Sequence, residues 1–422
     1  MKTPNSDPST AESGFGHAPE ILAGWRKRAA EALSAGATTP FYLFAAEPFA
    51  ARVRQIESLD FGVPIRCWLS FKTQPLAPLV RWWAAQGRPV EVVSEFELVA
   101  ALREGVPAER LLVNGPAKHH WLPRHPVPGL HVHLDSVAEL PALVPLASRH
   151  GWRLGLRIRS PVETDPENPT FPTQFGLEPE EVPGVVQALR KAGMEPVSVH
   201  SHLRTNVQQP ALWGQAFAPI ARACADAGWA PRILDVGGGL PAAQVLSRAG
   251  KPYDLSYRDG LEGYRREIVA MRKRFPAVEE LWLEHGRHVS AGAGLLAVRI
   301  LDLKEKAGQR LAICDGGRTL HALVSVWEKH ALIPLRVLRS ARVPTAVHGP
   351  TCMAFDQLGR PELPVSLREG DVLLWLEAGA YHLPWETRFS HGLAEVWWSE
   401  GGSLRCVRSR ETADEYWSRW KR

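Results

Sequence analysis

The apolar run Pro64–Lys72, PIRCWLSFK, ends on a lysine. An ammonium drawn out of water must be paired or lose its proton, and an amine held in such a place is a nucleophile that forms imines with aldehydes near neutral pH. Standing alone, Lys72 reads equally as a side chain that buries its stem and keeps its head wet. Other residues bear on the choice. Gly237, Gly238 and Gly239, in LDVGGGLP, let backbone approach a ligand closely and turn N–H groups toward a phosphate, or simply make a tight turn. Arg287, in EHGR, could add a bidentate charge to the same phosphate or stay solvated. Glu284, in that segment too, would keep a pyridine nitrogen protonated and so make the ring an electron sink. His202, in SVHSH, could lie flat on such a ring or serve as a hydrogen-bonded structural residue.

These residues need a scaffold that gathers them. From about residue 50 to 290, β-rich runs alternate with stretches of helical periodicity. The candidate strands are IRCWLS, VEVVS, RLLVN, LHVHLD, RLGLRIR, PVSVHSH, RILDV and LWLEH, joined by helical segments and by one short, Pro-broken connection, KHHWLPRHP. Eight strands with seven crossovers match a (β/α)8 barrel better than an open doubly wound sheet, and a barrel keeps its chemistry at the C-terminal strand ends. Lys72, His202, the glycine triplet and Glu284 all fall there. After residue 292 the pattern becomes β runs with turns, predicting a C-terminal antiparallel β domain closed by a helix over TADEYWSRW. The expected division is a disordered lead over 1–19, a β domain from 20–47 and 293–422, and a barrel over 48–292.

Composition excludes some classes. The net charge of +5 comes from 50 basic and 45 acidic residues without Lys/Arg blocks, so no nucleic-acid partner is expected. No apolar run reaches the length of a membrane span, and the polar, Pro/Ser-rich start does not read as a signal peptide. The five cysteines form no CxxC and no metal-ligand spacing, which predicts reduced thiols in a cytoplasm and no metal site.

Lysine, histidine, triple glycine and Glu-x-Gly-Arg in this order resemble the fold type III pyridoxal-phosphate decarboxylases, the family of ornithine, diaminopimelate, arginine and carboxynorspermidine decarboxylases. The resemblance implies an alanine-racemase-like barrel with a β domain, pyridoxal phosphate as cofactor, and homodimers with shared active sites. It makes Lys72 of SFKT the Schiff-base lysine and His202 of SHLRT the ring-stacking histidine. Thr205, Gly237, Gly238, Gly239, Gly286, Arg287 and Tyr381 of EAGAY become phosphate contacts. Glu284 meets the pyridine nitrogen. In HGPTCMAFD, Cys352 becomes the acid that protonates the reacting carbon from a neighbouring subunit.

The sequence departs from that pattern where substrate is read. Arg204 stands for the family's glycine, His285 for its proline, and Met353 for a residue that is usually acidic when the substrate has a distal amine. His321 begins the counterpart of an RPALY-like stretch. With Arg204, His382 and Arg388 adding positive charge and only Asp356 and Glu328 left for an amine, the sequence predicts decarboxylation of an L-amino acid or conjugate with a neutral or acidic side group, as in siderophore or other specialised metabolism. The alternatives are a decarboxylase of a basic amino acid, an amino-acid racemase, and a non-catalytic cofactor-binding homologue.

Overall fold

The computed structural model describes residues 14–163, 172–242, 244–253, 260–321 and 328–421; the rest of the predicted N-terminal lead, 1–13, lies outside them. The chain divides into two compact units, one of Arg52–Pro241 and Asp254–His288, the other of Met1–Ala51, Ala242–Tyr253 and Val289–Arg422.

The first unit is the expected barrel. Its strands are β1 Ile65–Cys67, β2 Leu69–Ser70, β3 Val90–Val92, β4 Leu111–Val113, β5 His131–Leu134, β6 Arg153–Arg157, β7 Ser198–His200, β8 Ile233–Asp235 and β9 Glu280–Leu283. All pairings are parallel, and the hydrogen-bonded order runs β1-β9-β8-β7-β6-β5-β4-β3-β2. The run read as one strand, IRCWLS, is therefore both ends of the ring. It breaks at Trp68, whose N–H donates to Leu283 O, while Leu69 N donates to Pro89 O.

Helices form where apolar residues recur at helical spacing. Val182–Lys191 buries Val182, Val185, Val186 and Leu189, a one-sided stripe. Leu140–His150 stops at Gly151, whose φ of 63° supplies the left-handed cap. The connection containing KHHWLPRHP makes only two 3-10 turns, Lys118–His120 and Leu122–Arg124.

The barrel interior is layered. Trp68, Leu112 and Trp282 cluster with the two indoles 4.6 Å apart, and His131 packs edge-on to Trp282. Two residues further along each strand the same face continues. There the side chains are Ser70, Asn114, Glu284 and His133, all buried and all polar. An apolar floor thus carries a polar storey at the strand ends, where a barrel places chemistry.

The second unit holds a ten-stranded sheet. It is mixed, not purely antiparallel as expected. Phe41–Ala45 pairs antiparallel with Gly294–Lys306 and parallel with Glu395–Glu400, and Gln309–Cys314 runs parallel to Arg342–His348. An early segment inserted between two late strands is free to take either direction, which run-by-run reading cannot decide. The helix Pro19–Ser34, unforeseen in the sequence reading, lays Leu22, Trp25, Ala29 and Ala32 on the core with Phe41, Leu43, Leu295 and Leu374. The terminal helix forms at Ala413–Ser418 behind a Thr412/Glu415 capping box.

Inside this unit Trp375 lies between the rings of His321 and His330, at 4.5 and 5.0 Å, and its indole N–H donates to His382 Nε2. Burial pushes the His321 imidazole down to about 3, with His330 and Arg318 adding to it. The folded ring stays neutral while the unfolded one protonates below about 6.5, so its share of stability is present above that pH and is lost as pH falls toward 3. His321→Phe removes this loss. Against wild type it should gain about 2 kcal/mol between pH 7.5 and pH 5. Urea unfolding at the two pH values checks this, and an unchanged difference contradicts it.

Candidate active site

Lys72 sits in the short turn Phe71–Thr73 directly after β2. Its Nζ lies 2.7 Å from Glu91 Oε2 on β3 and donates to Ser70 Oγ at 2.9 Å, while the Ser70 hydroxyl donates to Glu91 at 2.6 Å. Burial drives Glu91 toward the neutral acid, but the Lys72 charge and hydrogen bonds from Lys72, Ser70 and Asn114 outweigh it and hold the carboxyl below its usual range. The amine is thus aimed by two partners.

Glu284, just past β9, is 7% exposed and accepts a hydrogen bond from Asn114 Nδ2 at 2.8 Å. Burial, then the charges of Asp235 and Glu91, push it well above the ordinary carboxyl range. Asp235, at the end of β8, is pushed up to about 7, chiefly by burial. Its Oδ1 accepts from Gly237 N at 2.9 Å and lies 3.3 Å from His200 Nδ1. His202 accepts from Gly238 N through Nδ1 at 3.1 Å, which leaves its proton on Nε2, and burial holds the ring neutral. The glycine loop therefore orients the histidine before it meets any ligand.

The loop's close approaches require glycine. A Cβ on Gly238 would come 2.6 Å from Glu284 O, and one on Gly286 2.2 Å from Thr73 Oγ1. Arg287 follows in the buried turn Gly286–Ser290. Lys72, His202, Gly237, Gly238, Gly239, Glu284, Gly286 and Arg287 all belong to the barrel unit, and Thr205 and Arg204 are exposed on the loop that follows β7.

The remaining predicted residues belong to the other unit. Cys352 is exposed and Met353 half-buried on a loop organised by Asp356, which accepts from Thr351 N, Thr351 Oγ1 and Arg318 N. Asp356 is thus engaged in holding the loop. His321 and His382 are sealed in the core around Trp375, and Arg388 is paired with Glu411 at 2.9 Å. Tyr381 stacks on Trp385 at 5.4 Å with a φ of 65°.

Sequence reading missed Glu91, Asn114, His133 and Asp235. The signal was present in the strands VEVVS, RLLVN, LHVHLD and RILDV, each of which carries one of these polar residues among apolar neighbours. His133, His200 and Asp235 bring metal-ligand types within 4.8 Å of one another. His133, however, uses both nitrogens, on Asn114 Oδ1 at 2.8 Å and Ser198 Oγ at 2.9 Å, leaving no lone pair for an ion.

A parallel barrel with a lysine at the strand ends, a neutral histidine on a glycine cradle and a buried carboxyl defines an enzyme of imine chemistry. Residues 50–291 match the family described as pyridoxal-dependent decarboxylase, pyridoxal binding domain. The diaminopimelate decarboxylase of Deinococcus radiodurans is 30% identical over 385 residues, 90% of this chain and 95% of that protein. Among solved structures, diaminopimelate decarboxylase from Helicobacter pylori complexed with L-lysine superposes with a TM-score of 0.78 at 22% identity, covering 93% of this chain and 99% of that one. The arginine decarboxylase of Paramecium bursaria Chlorella virus gives 0.72 at 20%, covering 89% and 100%. The chain belongs to the pyridoxal-dependent decarboxylases, with the alanine-racemase-like architecture of fold type III. It is a pyridoxal-phosphate-dependent carboxy-lyase acting on an amino acid.

The residues present fit that cofactor, with an amine for its aldehyde, a glycine loop too tight for a Cβ, a buried arginine for phosphate and a buried carboxyl for its ring nitrogen. Gly238→Ala should push the cradle off Glu284 and weaken cofactor binding about tenfold, an effect of roughly 1.4 kcal/mol. Titration of apo protein with pyridoxal phosphate reads the dissociation constant, and one within twofold of wild type contradicts the close-approach argument.

Among the described residues no helix is long and apolar enough to cross a membrane.

Proposed function

We propose that the chain decarboxylates a diamino or basic amino acid, with diaminopimelate the first candidate. The observation that carries this is the near full-length match to a diaminopimelate decarboxylase at 30% identity. The comparisons lend no support to the siderophore pathway expected from the sequence, since the relatives they return are diaminopimelate and arginine decarboxylases.

Pyridoxal phosphate, when bound, supplies an aldehyde that holds an amine and a protonated pyridine that takes up the electron pair left by departing carbon dioxide. The chain's residues prepare for this. Lys72 Nζ must give up a proton before it can act as nucleophile, and Glu91 Oε2, 2.7 Å away, is the acceptor within reach. Glu284 would hold the pyridine N–H, His202 would face the ring, and Gly237, Gly238 and Gly239, with Thr205, Gly286, Arg287 and Tyr381, would hold the phosphate. Cys352 of a second copy of the chain delivers the proton to the reacting carbon in a homodimer. Its exposed loop position supports that role. Five unpaired cysteines suit a reducing cytoplasm.

One observation favours a different side group on the substrate. Met353 replaces the acidic partner of a distal ammonium, and Asp356 is held by Thr351 and Arg318. A neutral or acidic side group is the second reading, with Arg204 as its contact.

Carbon-dioxide release from diaminopimelate, lysine, ornithine, arginine and acyl or citryl amino-acid conjugates separates the two. Diaminopimelate should give the highest kcat/KM. A clear preference for the conjugates overturns the first reading in favour of the second, and racemisation without carbon dioxide release overturns both.

A further inference from the structure

We propose that Asn114, oriented by His133 and Ser198, is a positioning residue that keeps Glu284 an acceptor and so sets its grip on the ring nitrogen. This rests on the reading of Glu284 given above.

Three buried side chains on successive inward positions form one file. Ser198 Oγ is 2.9 Å from His133 Nε2, His133 Nδ1 is 2.8 Å from Asn114 Oδ1, and Asn114 Nδ2 is 2.8 Å from Glu284 Oε1. None is more than 3% exposed, so each missing partner would carry the full cost of a buried polar group. With Glu284 as the acceptor, bonding rules fix the direction of every link. An amide N–H₂ toward Glu284 turns Asn114 Oδ1 toward His133; an acceptor there puts the imidazole proton on Nδ1; and Nε2, left with a lone pair, takes the Ser198 hydroxyl proton. His133 is held flat against His200, ring centroids 5.0 Å apart, which fixes its plane and hence the Asn114 amide.

The file is needed because the largest influences on Glu284 work against its charge. Burial, Asp235 and Glu91 all favour the neutral acid, and His200 and Lys72 only partly offset them. A neutral Glu284 cannot stabilise a protonated ring nitrogen. The Asn114 N–H bond to Oε1 favours the carboxylate, while Asp235, itself hydrogen-bonded to the Glu284 side chain, favours the acid. Asn114 also lies 3.4 Å from Glu91 Oε1, so the same amide stands between the carboxyl that serves Lys72 and the one that serves the ring.

The test uses the holoenzyme with its best substrate and the apo protein with pyridoxal phosphate. Asn114→Leu, which keeps the volume and removes the donor, should lower kcat about 10- to 100-fold with KM within about threefold, and weaken cofactor binding about tenfold, the scale on which partners of a site's ligating groups act. His133→Phe should lower kcat similarly. Because His133 acts through Asn114, the double variant should cost no more than Asn114→Leu alone, whereas two merely structural losses would add. Should Asn114→Leu fold poorly, Ser198→Ala reads the same file and should lower kcat about threefold. Additive losses, or kcat and cofactor affinity within twofold of wild type while Glu284→Gln is crippled, overturn the file and leave the Glu284 reading standing. Glu284→Gln within twofold of wild type overturns both.

Discussion

Lys72→Ala should lower carbon-dioxide release about 10⁴-fold, some 5.4 kcal/mol at the transition state. The argument is local. Lys72 Nζ is the amine at the mouth of the barrel unit that is both oriented by a hydroxyl and neutralised by a carboxylate, with Ser70 and Glu91 within 2.9 Å. Methyl in place of that chain would remove the amine proposed to anchor the cofactor. It also leaves Glu91, 1% exposed, a buried carboxylate without its counter-charge. The variant should lose the visible absorbance of the holoenzyme. Borohydride treatment of wild type should label a peptide containing Lys72, read by mass spectrometry. Retention of more than a tenth of the activity would sink the assignment.

Glu284→Gln should lower kcat about 10²- to 10³-fold, the range seen when one oriented electrostatic group is removed. An amide is nearly isosteric and can still meet Asn114, but it cannot balance a pyridinium charge. The same change should make the apo protein more stable, in a pH-dependent way. Glu284 is raised well above its unfolded value, so the folded state holds a proton that the unfolded state releases. Stability from this group is therefore full below about pH 4.3 and is lost as pH rises toward the folded value. Glutamine has no such loss, so its advantage should grow from pH 5 to pH 8. Thermal melts at the two pH values, paired with kcat, check both halves. A variant that is slower yet no more stable at pH 8 would mean that Glu284 is not held against its charge.

Much of the barrel was legible because strand ends coincide with chemistry. Short Val/Leu/Ile runs marked β3, β4, β8 and β9, and Lys72, His202, Gly237–Gly239 and Glu284 each follow one of the barrel strands. The polar storey was harder to read. Glu91 in VEVVS and His133 in LHVHLD alternate with apolar neighbours as an edge strand's outward residues do, and only ring closure turns that face inward. Burial inverted other expectations. His382 looked like added positive charge near a substrate and His321 like the counterpart of a substrate-reading arginine, and both instead pack around Trp375, while Asp356 looked like an amine partner and is a loop clasp. Distances along the chain could not show this, because each depends on strands that meet only in the folded sheet.

The interrupted first strand has a consequence for assembly. Its β1 half pairs with β9 and its β2 half with β3, so residues 65–67 must find residues 281–283 across more than half of the chain. Contacts of such long range close late and slowly. The lysine that ends this strand and the glutamate that follows β9 are therefore brought to the same rim by the last pairing to form. A nascent chain released before Leu283 could build most of the barrel unit's helices and strands and still offer the cofactor no grip. Visible absorbance during refolding should then report completion of the ring, not the growth of secondary structure.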